Sequence, residues 1–382
     1  MKKNWELFAS YVLVAVLSTI ATLTLVYFMP IRQTKLDQLQ KLIEEKFAGE
    51  AESAALEDAA AAAMIRATGD RWSYYIPATE YETYREQQEN AYVGVGITIQ
   101  QLEEENGFAI IQVSEKGPAA QAGILVGDVL IGVEEADVRG WSTEEVRDVV
   151  KGKEGTFVVL KVLRQGEHRT FSVERQKVLT EVAVFEMLPD NVGLVTILNF
   201  DERCAEETIT AIETLLDNGA EKLVFDVRHN PGGYASEMVE VLDYLLPEGD
   251  LFRTVHYDGK EHVDTSDADC LKIPMAVLVN ASSYSAAEFF AAALQDYEAA
   301  VIVGEQTTGK GFYQNTFRLN DGSAVALSVG KYYTPGGVTL EGVGITPDRK
   351  VELSEEDASS LYYGTLLPEE DEQLQEAIKL LK

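Results

Sequence analysis

The chain has 382 residues, 46% hydrophobic and 25% charged, which is enough apolar material for two or three cored domains and excludes a disordered polymer. A net charge of −32, with no basic run to offset it, argues against nucleic acid as a partner and against docking on anionic headgroups. Cys204 and Cys270 lie far apart, and the four histidines (His168, His229, His256 and His262) form no cluster, so no metal site is expected. The sequence leaves open whether the two cysteines pair or stay free.

After Lys2 and Lys3, an unbroken apolar run from Leu7 to Met29 has the length of a bilayer-crossing helix. A cleaved secretory signal carries a shorter apolar region, so residues 7–29 read as an uncleaved signal-anchor. Residues 1–6 would then be a cytoplasmic tip, with the rest of the chain outside the cytoplasm. Residues 30–91 read as a helical arm, with Leu36, Leu39, Leu42, Ile43 and Phe47 spaced by three and four. A helix packing on the body and a dimerising helix pair, hence a homodimer, both fit that spacing.

Residues 92–176 read as a β-rich module. YVGVGITI and GFAIIQV alternate as strands, Ser142 caps a helix running to about Val150, and TFVVLKVLR and EHRTFSVE close the module. From residue 177 to 382 strands alternate with helices: VGLVTILNF, a helix over Glu206–Leu216, KLVFDVR, a helix over Ala235–Leu246, MAVLVN and AAVIVG. That alternation predicts a mixed α/β core with functional loops at the strand ends.

Strand MAVLVN delivers Ser285 to the first turn of the helix AAEFFAAALQD. The Ser285 hydroxyl would then lie near the positive helix end, where the Ala286 amide can stabilise an oxyanion. Read alone, Ser285 is equally a helix cap. Lys310 stands between two glycines after the strand AAVIVG, placed to reach inward as a base if it is neutral, or to be a solvated turn residue. A glycine turn on a neighbouring strand end, FDVRHNPGGYAS, offers a second oxyanion donor.

Together these loops resemble the C-terminal processing peptidases, the tail-specific serine proteases with a Ser–Lys dyad. The resemblance extends over nearly the whole chain. It rests on S-x-S-A-x-E at Ser283–Glu288, T-x-G-K-G around Lys310, and the stretches DRWSYYIPATEY, KYYTPGGVTLEGVGITPD and QLQEAIKLL. It implies Ser285 as nucleophile, Lys310 as base, Gln314 as the residue that orients the lysine, and the Gly232 and Ala286 amides as the oxyanion hole. The run Pro118–Leu130 resembles that of bacterial PDZ domains, which implies a carboxylate-holding loop at Val95, Gly96 and Ile97. Ile97, Ile99, Val146 and Val150 would line the pocket for the last residue of a tail.

The implied fold is the tail-specific protease core with a PDZ domain and one N-terminal transmembrane helix. The implied partners are proteins or peptides with exposed C-termini, with no cofactor, on a bacterial cell membrane with the catalytic domain extracytoplasmic. His229 is a rival base in the glycine turn, and a non-catalytic PDZ scaffold is the rival function.

Overall fold

The computed structural model describes residues 5, 10–20, 22, 34–102, 106–114 and 116–381. The chain divides into two compact units, Met1–Tyr75 and Ile76–Lys382. In the first, residues 10–20 are helical, while much of the remaining apolar run lies outside the described residues. Among those described, no helix is long and apolar enough to cross a membrane. Two arm helices follow, Lys35–Lys46 and Ser53–Arg66. Thr34 and Asp37 close the N-terminus of the first with a reciprocal capping box. Its Leu36, Leu39 and Leu42 stay exposed.

The second unit contains a small β domain and a larger α/β core. The small domain is one antiparallel sheet in the order Ile97–Gln101, Phe108–Val113, Val129–Val133, Phe157–Arg164 and Glu167–Glu174. Phe108, Ile110, Leu130, Val146, Val158 and Leu160 fill its core. Helix Thr143–Val150 starts at Ser142, whose hydroxyl accepts from the Glu145 amide while Glu145 caps the Ser142 amide. Strand Ile97–Gln101 stands at the sheet's edge. The chain enters through Ala91–Gly94 and leaves through Gln176–Leu179, which pair antiparallel, Ala91 opposite Leu179 and Gly94 opposite Gln176.

The core is built on a sheet ordered Ala183–Leu188, Val192–Ile197, Lys222–Asp226, Met275–Val279, Ala300–Gly304 and Arg349–Lys350. Its first pair is antiparallel and the remaining pairs are parallel. The parallel strands read as apolar runs because helices cover both faces, and Met275–Val279 is buried at every position. Helix Ala286–Asp296 is buried along nearly its whole length. Its alanines let it sit between this sheet and a second, antiparallel one that includes Gly249–His256, Glu261–Ser266, Phe312–Arg318 and Ala324–Tyr333. Phe289 meets Phe252 edge-on with ring centroids 5.3 Å apart, and Phe290 meets Phe225 at 5.6 Å. Each such buried ring contributes about 1.5–3 kcal/mol of transfer free energy.

The chain between Ala183 and Leu188, and from Gly249 to Ser266, forms strands that the hydrophobic pattern does not announce. Both carry charges at exposed positions of half-covered sheets, so period-2 alternation is diluted. Cys204 is buried, Cys270 is half-buried, and both are free thiols.

Candidate active site

Three successive parallel strands end on the same side of the core sheet, and their following turns carry the candidate residues. Met275–Val279 leads to Ser285, Lys222–Asp226 leads to the glycine turn, and Ala300–Gly304 leads to Lys310. Ser285 has φ 59° and ψ −127°, a conformation that favours glycine and costs about 1–3 kcal/mol. A strand–turn–helix junction strained in this way lifts a side chain off the sheet into a cleft. Ser283 is fully buried and donates to the Val227 carbonyl at 2.7 Å, and its oxygen accepts from the Asn280 amide. The Ser282 amide donates to Asn280 Oδ1.

Glu288 joins the nucleophile turn to the lysine turn. Its carboxylate is buried and accepts from the Ser285 amide at 3.0 Å, the Lys310 amide at 2.8 Å, the Gly309 amide at 2.8 Å and the Thr307 hydroxyl. Burial raises its pKa, and these four donors oppose the rise. The lysine turn is also held from its other side. Gly309 and Gly311 pack against the backbone of residues 340–344 too closely for any side chain, and the Gly311 amide donates to Glu341. Lys310 is half-buried, and its Nζ lies 5.8 Å from the centroid of the Tyr284 ring, beside Ser285 in sequence.

The glycine turn abuts Ser285. A Cβ built on Gly232 would lie 2.7 Å from Ser285 Cβ and 2.9 Å from the Ala286 nitrogen, so only glycine fits. The sequence assigns an oxyanion donor to Gly232, but its N–H donates to Asn230 Oδ1 at 2.8 Å, closing a local Asx turn. The next peptide is held from its other side. The Gly232 carbonyl accepts from Phe200 N, on the neighbouring strand's extension. In a trans peptide the Gly233 N–H points the opposite way, away from Phe200. Ala286 opens its helix, so its N–H has no intrahelical acceptor. The Gly232 amide is thus engaged by Asn230, and Gly232 supplies the close approach to Ser285 and Ala286.

His229 is turned to other work. Its amide donates to Asn280 Oδ1, its Nε2 lies 3.0 Å from Asn280 Nδ2, and its ring stacks edge-on against Tyr362. Burial lowers its pKa. Gln314 Nε2 donates to the Phe312 carbonyl and to Ser328 Oγ, which leaves Oε1 as its remaining acceptor. Arg228, beside the glycine turn, is a buried strut that bonds Asp226, Asp371 and Gln373 and ties the strand end to the C-terminal helix. Asn230, Asn280 and Thr307 are the site residues that sequence reading missed. Of these, the Asn two residues before Gly232 carries a recognisable Asx-turn signal.

The loop Val95–Ile97 repeats the same backbone logic. The Val95 carbonyl accepts from Ala119 N and the Gly96 carbonyl from Ser114 N, so the Gly96 and Ile97 N–H groups face away from the domain. They border a cavity of about 730 Å³ lined by Ile97, Ile99, Val146 and Val150 from the small domain. Its far wall includes Leu198, Asn199, Asp201 and Pro231 of the core. Val95 itself is buried and adds a side chain to the domain core.

Comparison with known proteins decides the family. Residues 191–351 match the model of peptidase family S41 and residues 93–174 match a PDZ domain. The carboxy-terminal processing protease CtpA of Bacillus subtilis is 31% identical over 368 residues, covering 92% of this chain and 78% of that protein. The chain belongs to the S41 C-terminal processing proteases. A probable CtpA-like serine protease of Staphylococcus saprophyticus is 29% identical, and the match spans 83% of this chain and 65% of that relative's length. Among solved structures, a photosystem II D1 C-terminal processing protease superposes with a TM-score of 0.50 at 26% identity, covering 89% of this chain and 92% of that one.

Proposed function

We propose that the chain is a membrane-anchored serine endopeptidase that binds substrate C-termini in its PDZ groove and cleaves peptide bonds through Ser285 and Lys310. Neutral Lys310 takes the Ser285 proton as Oγ attacks the scissile carbonyl, and the Gly233 and Ala286 amides receive the oxyanion. The lysine then gives that proton to the leaving amine, and an acyl-enzyme remains. Water attacks the ester with Lys310 again as base, and the proton returns to Ser285 as the acid product departs. Gln314, through its free acceptor, orients the lysine.

The observation that carries this reading is the Glu288 carboxylate, which accepts from the backbone of both Ser285 and Lys310 and so fixes one turn against the other. The tail-reading part rests on the outward Gly96 and Ile97 amides beside an edge strand, the geometry that accepts an extended peptide and its terminal carboxylate. The anchor rests on the apolar run 7–29, which would place the catalytic domain outside the cytoplasm of a bacterial cell. A homodimer through the arm is supported by its exposed leucines.

The test uses an unfolded protein with an apolar C-terminus as substrate. Ser285→Ala and Lys310→Ala should each lower cleavage by roughly 10⁴-fold or more. Cleavage that persists in both variants would sink the dyad. Wild-type protein that binds tails and never cuts them would leave the scaffold function standing.

A further inference from the structure

The cavity between the PDZ groove and the core has one feature that the peptidase reading does not use. Asp201 lines it, directly after Phe200, whose backbone bridges Gly233. The Asp201 amide donates to Asn199 Oδ1, but among the described residues no hydrogen bond or ion pair reaches its carboxyl group. Its acidic neighbours are placed differently. Glu86 pairs with Lys151, Glu89 with Lys177, Glu207 with Arg203, and Glu237 accepts from the Ala205 amide. Glu202, adjacent in sequence, is exposed. Tyr234 from the oxyanion turn and Cys204 from the following helix are the uncharged titratable groups around it.

The charged residues lining the cavity are Glu86, Asp201, Arg147 and Lys151, two of each sign. With Asp201 ionised they sum to zero. With Asp201 neutral they sum to +1, in the same chamber as the amides that would hold a tail's carboxylate. A carboxylate guest and an unpartnered carboxylate in one partly desolvated space oppose each other, so the bound guest raises the proton affinity of the host group.

We propose that Asp201 is a proton-linked wall of the tail site: the cavity binds a peptide's free C-terminal carboxylate with Asp201 protonated and rejects it with Asp201 ionised. The proposal rests on the tail-binding reading above. It makes tail recognition a function of pH, and it selects carboxylate-ended chains through a residue of the core, outside the PDZ domain. Burial, with Glu202 and Glu237 nearby, pushes the Asp201 pKa up to about 7, which puts the change within the neutral range. None of the four histidines lines the cavity.

The experiment uses the full-length chain carrying Ser285→Ala, so that the probe is not cut. The probe is a fluorescent peptide with an apolar last residue, either free or amidated at its C-terminus. The free-acid peptide should bind roughly three- to tenfold more tightly at pH 6 than at pH 8. Calorimetry in two buffers of different ionisation enthalpy should show proton uptake on binding. Asp201→Asn should bind equally at both pH values without uptake, and Asp201→Ser is the second variant should Asn disturb the turn. Binding of the free-acid peptide that is independent of pH, or a pH dependence that survives both substitutions, overturns the proposal and leaves tail binding intact. Equal affinity for acid and amide peptides, or no binding at either pH, removes the tail-binding reading and this proposal with it.

Discussion

A buried carboxyl group, Glu288, and a half-buried one, Asp201, stand on either side of the glycine turn and live in opposite surroundings. Glu288 accepts four donors from two segments and holds the Ser285 turn against the Lys310 turn. Asp201 lines a cavity, and among the described residues no donor reaches its carboxyl group. Burial pushes both pKa values upward, yet only one group has donors that resist the push. The contrast separates rigid machinery from responsive surface. A satisfied buried charge fixes geometry, and an unsatisfied one titrates.

The severest way to break the first half of that contrast is Glu288→Gln. The amide keeps one acceptor oxygen and turns an NH₂ toward backbone donors. Each donor left facing it costs about 1–3 kcal/mol. Peptidase turnover should fall roughly 10²- to 10³-fold through misplacement of Ser285 and Lys310. Melting temperature should fall with it, whereas Ser285→Ala abolishes activity and leaves the melting temperature nearly unchanged. A Glu288→Gln enzyme with near-normal turnover would show that the tie is dispensable.

Asn230→Ala tests the machinery from the other wall. It strands the Gly232 amide and the Ile197 carbonyl, both of which Asn230 now satisfies. Turnover should drop roughly tenfold to a hundredfold as the glycine turn loosens. If the Gly232 amide were itself the oxyanion donor, its release would raise turnover.

The responsive half predicts a smaller effect of opposite sign. Because the folded Asp201 pKa is raised above its unfolded value, the group's contribution to stability is full below about pH 4 and is lost as pH rises through about 7. Asp201→Asn should therefore raise the melting temperature at pH 8 and change it little at pH 4, as scanning calorimetry at the two pH values can check. Equal shifts at both would mean that the carboxyl is not buried. Least of all, His229→Gln should change turnover by less than about threefold, because the ring is bound to Asn280 and not to Ser285. A loss of a thousandfold would restore histidine as the base.

Much of the site can be read from local sequence because its parts are local. The Ser285 turn, the Lys310 turn, the N-P-G-G turn and the Ser142–Glu145 capping box each lie within a few residues. What could not be read is what joins them. Glu288 looks like a first-turn helix residue until its bonds to Thr307, Gly309 and Lys310, about twenty positions away, are seen. The local bonding of the glycine turn has the same character. Gly232 and Gly233 are indistinguishable by type, and only the bonds from the Gly232 N–H to Asn230 and from Phe200 N to the Gly232 carbonyl set them apart. Asp201 carries no motif, and its character comes wholly from a cavity walled by two domains. The strand Ala183–Leu188 was hidden because its outward positions are mixed apolar and charged.

The two strands through which the chain enters and leaves the PDZ domain lie side by side, Gly94 opposite Gln176 and Ala91 opposite Leu179. The domain is therefore a cassette on a single stem, since its ends emerge together and close without a long connection. Evolution or an engineer can exchange the reader without re-threading the cutter. The part that would not travel with it is the core wall of the cavity, so a transplanted reader would face the old enzyme's Leu198, Asp201 and Pro231 across it.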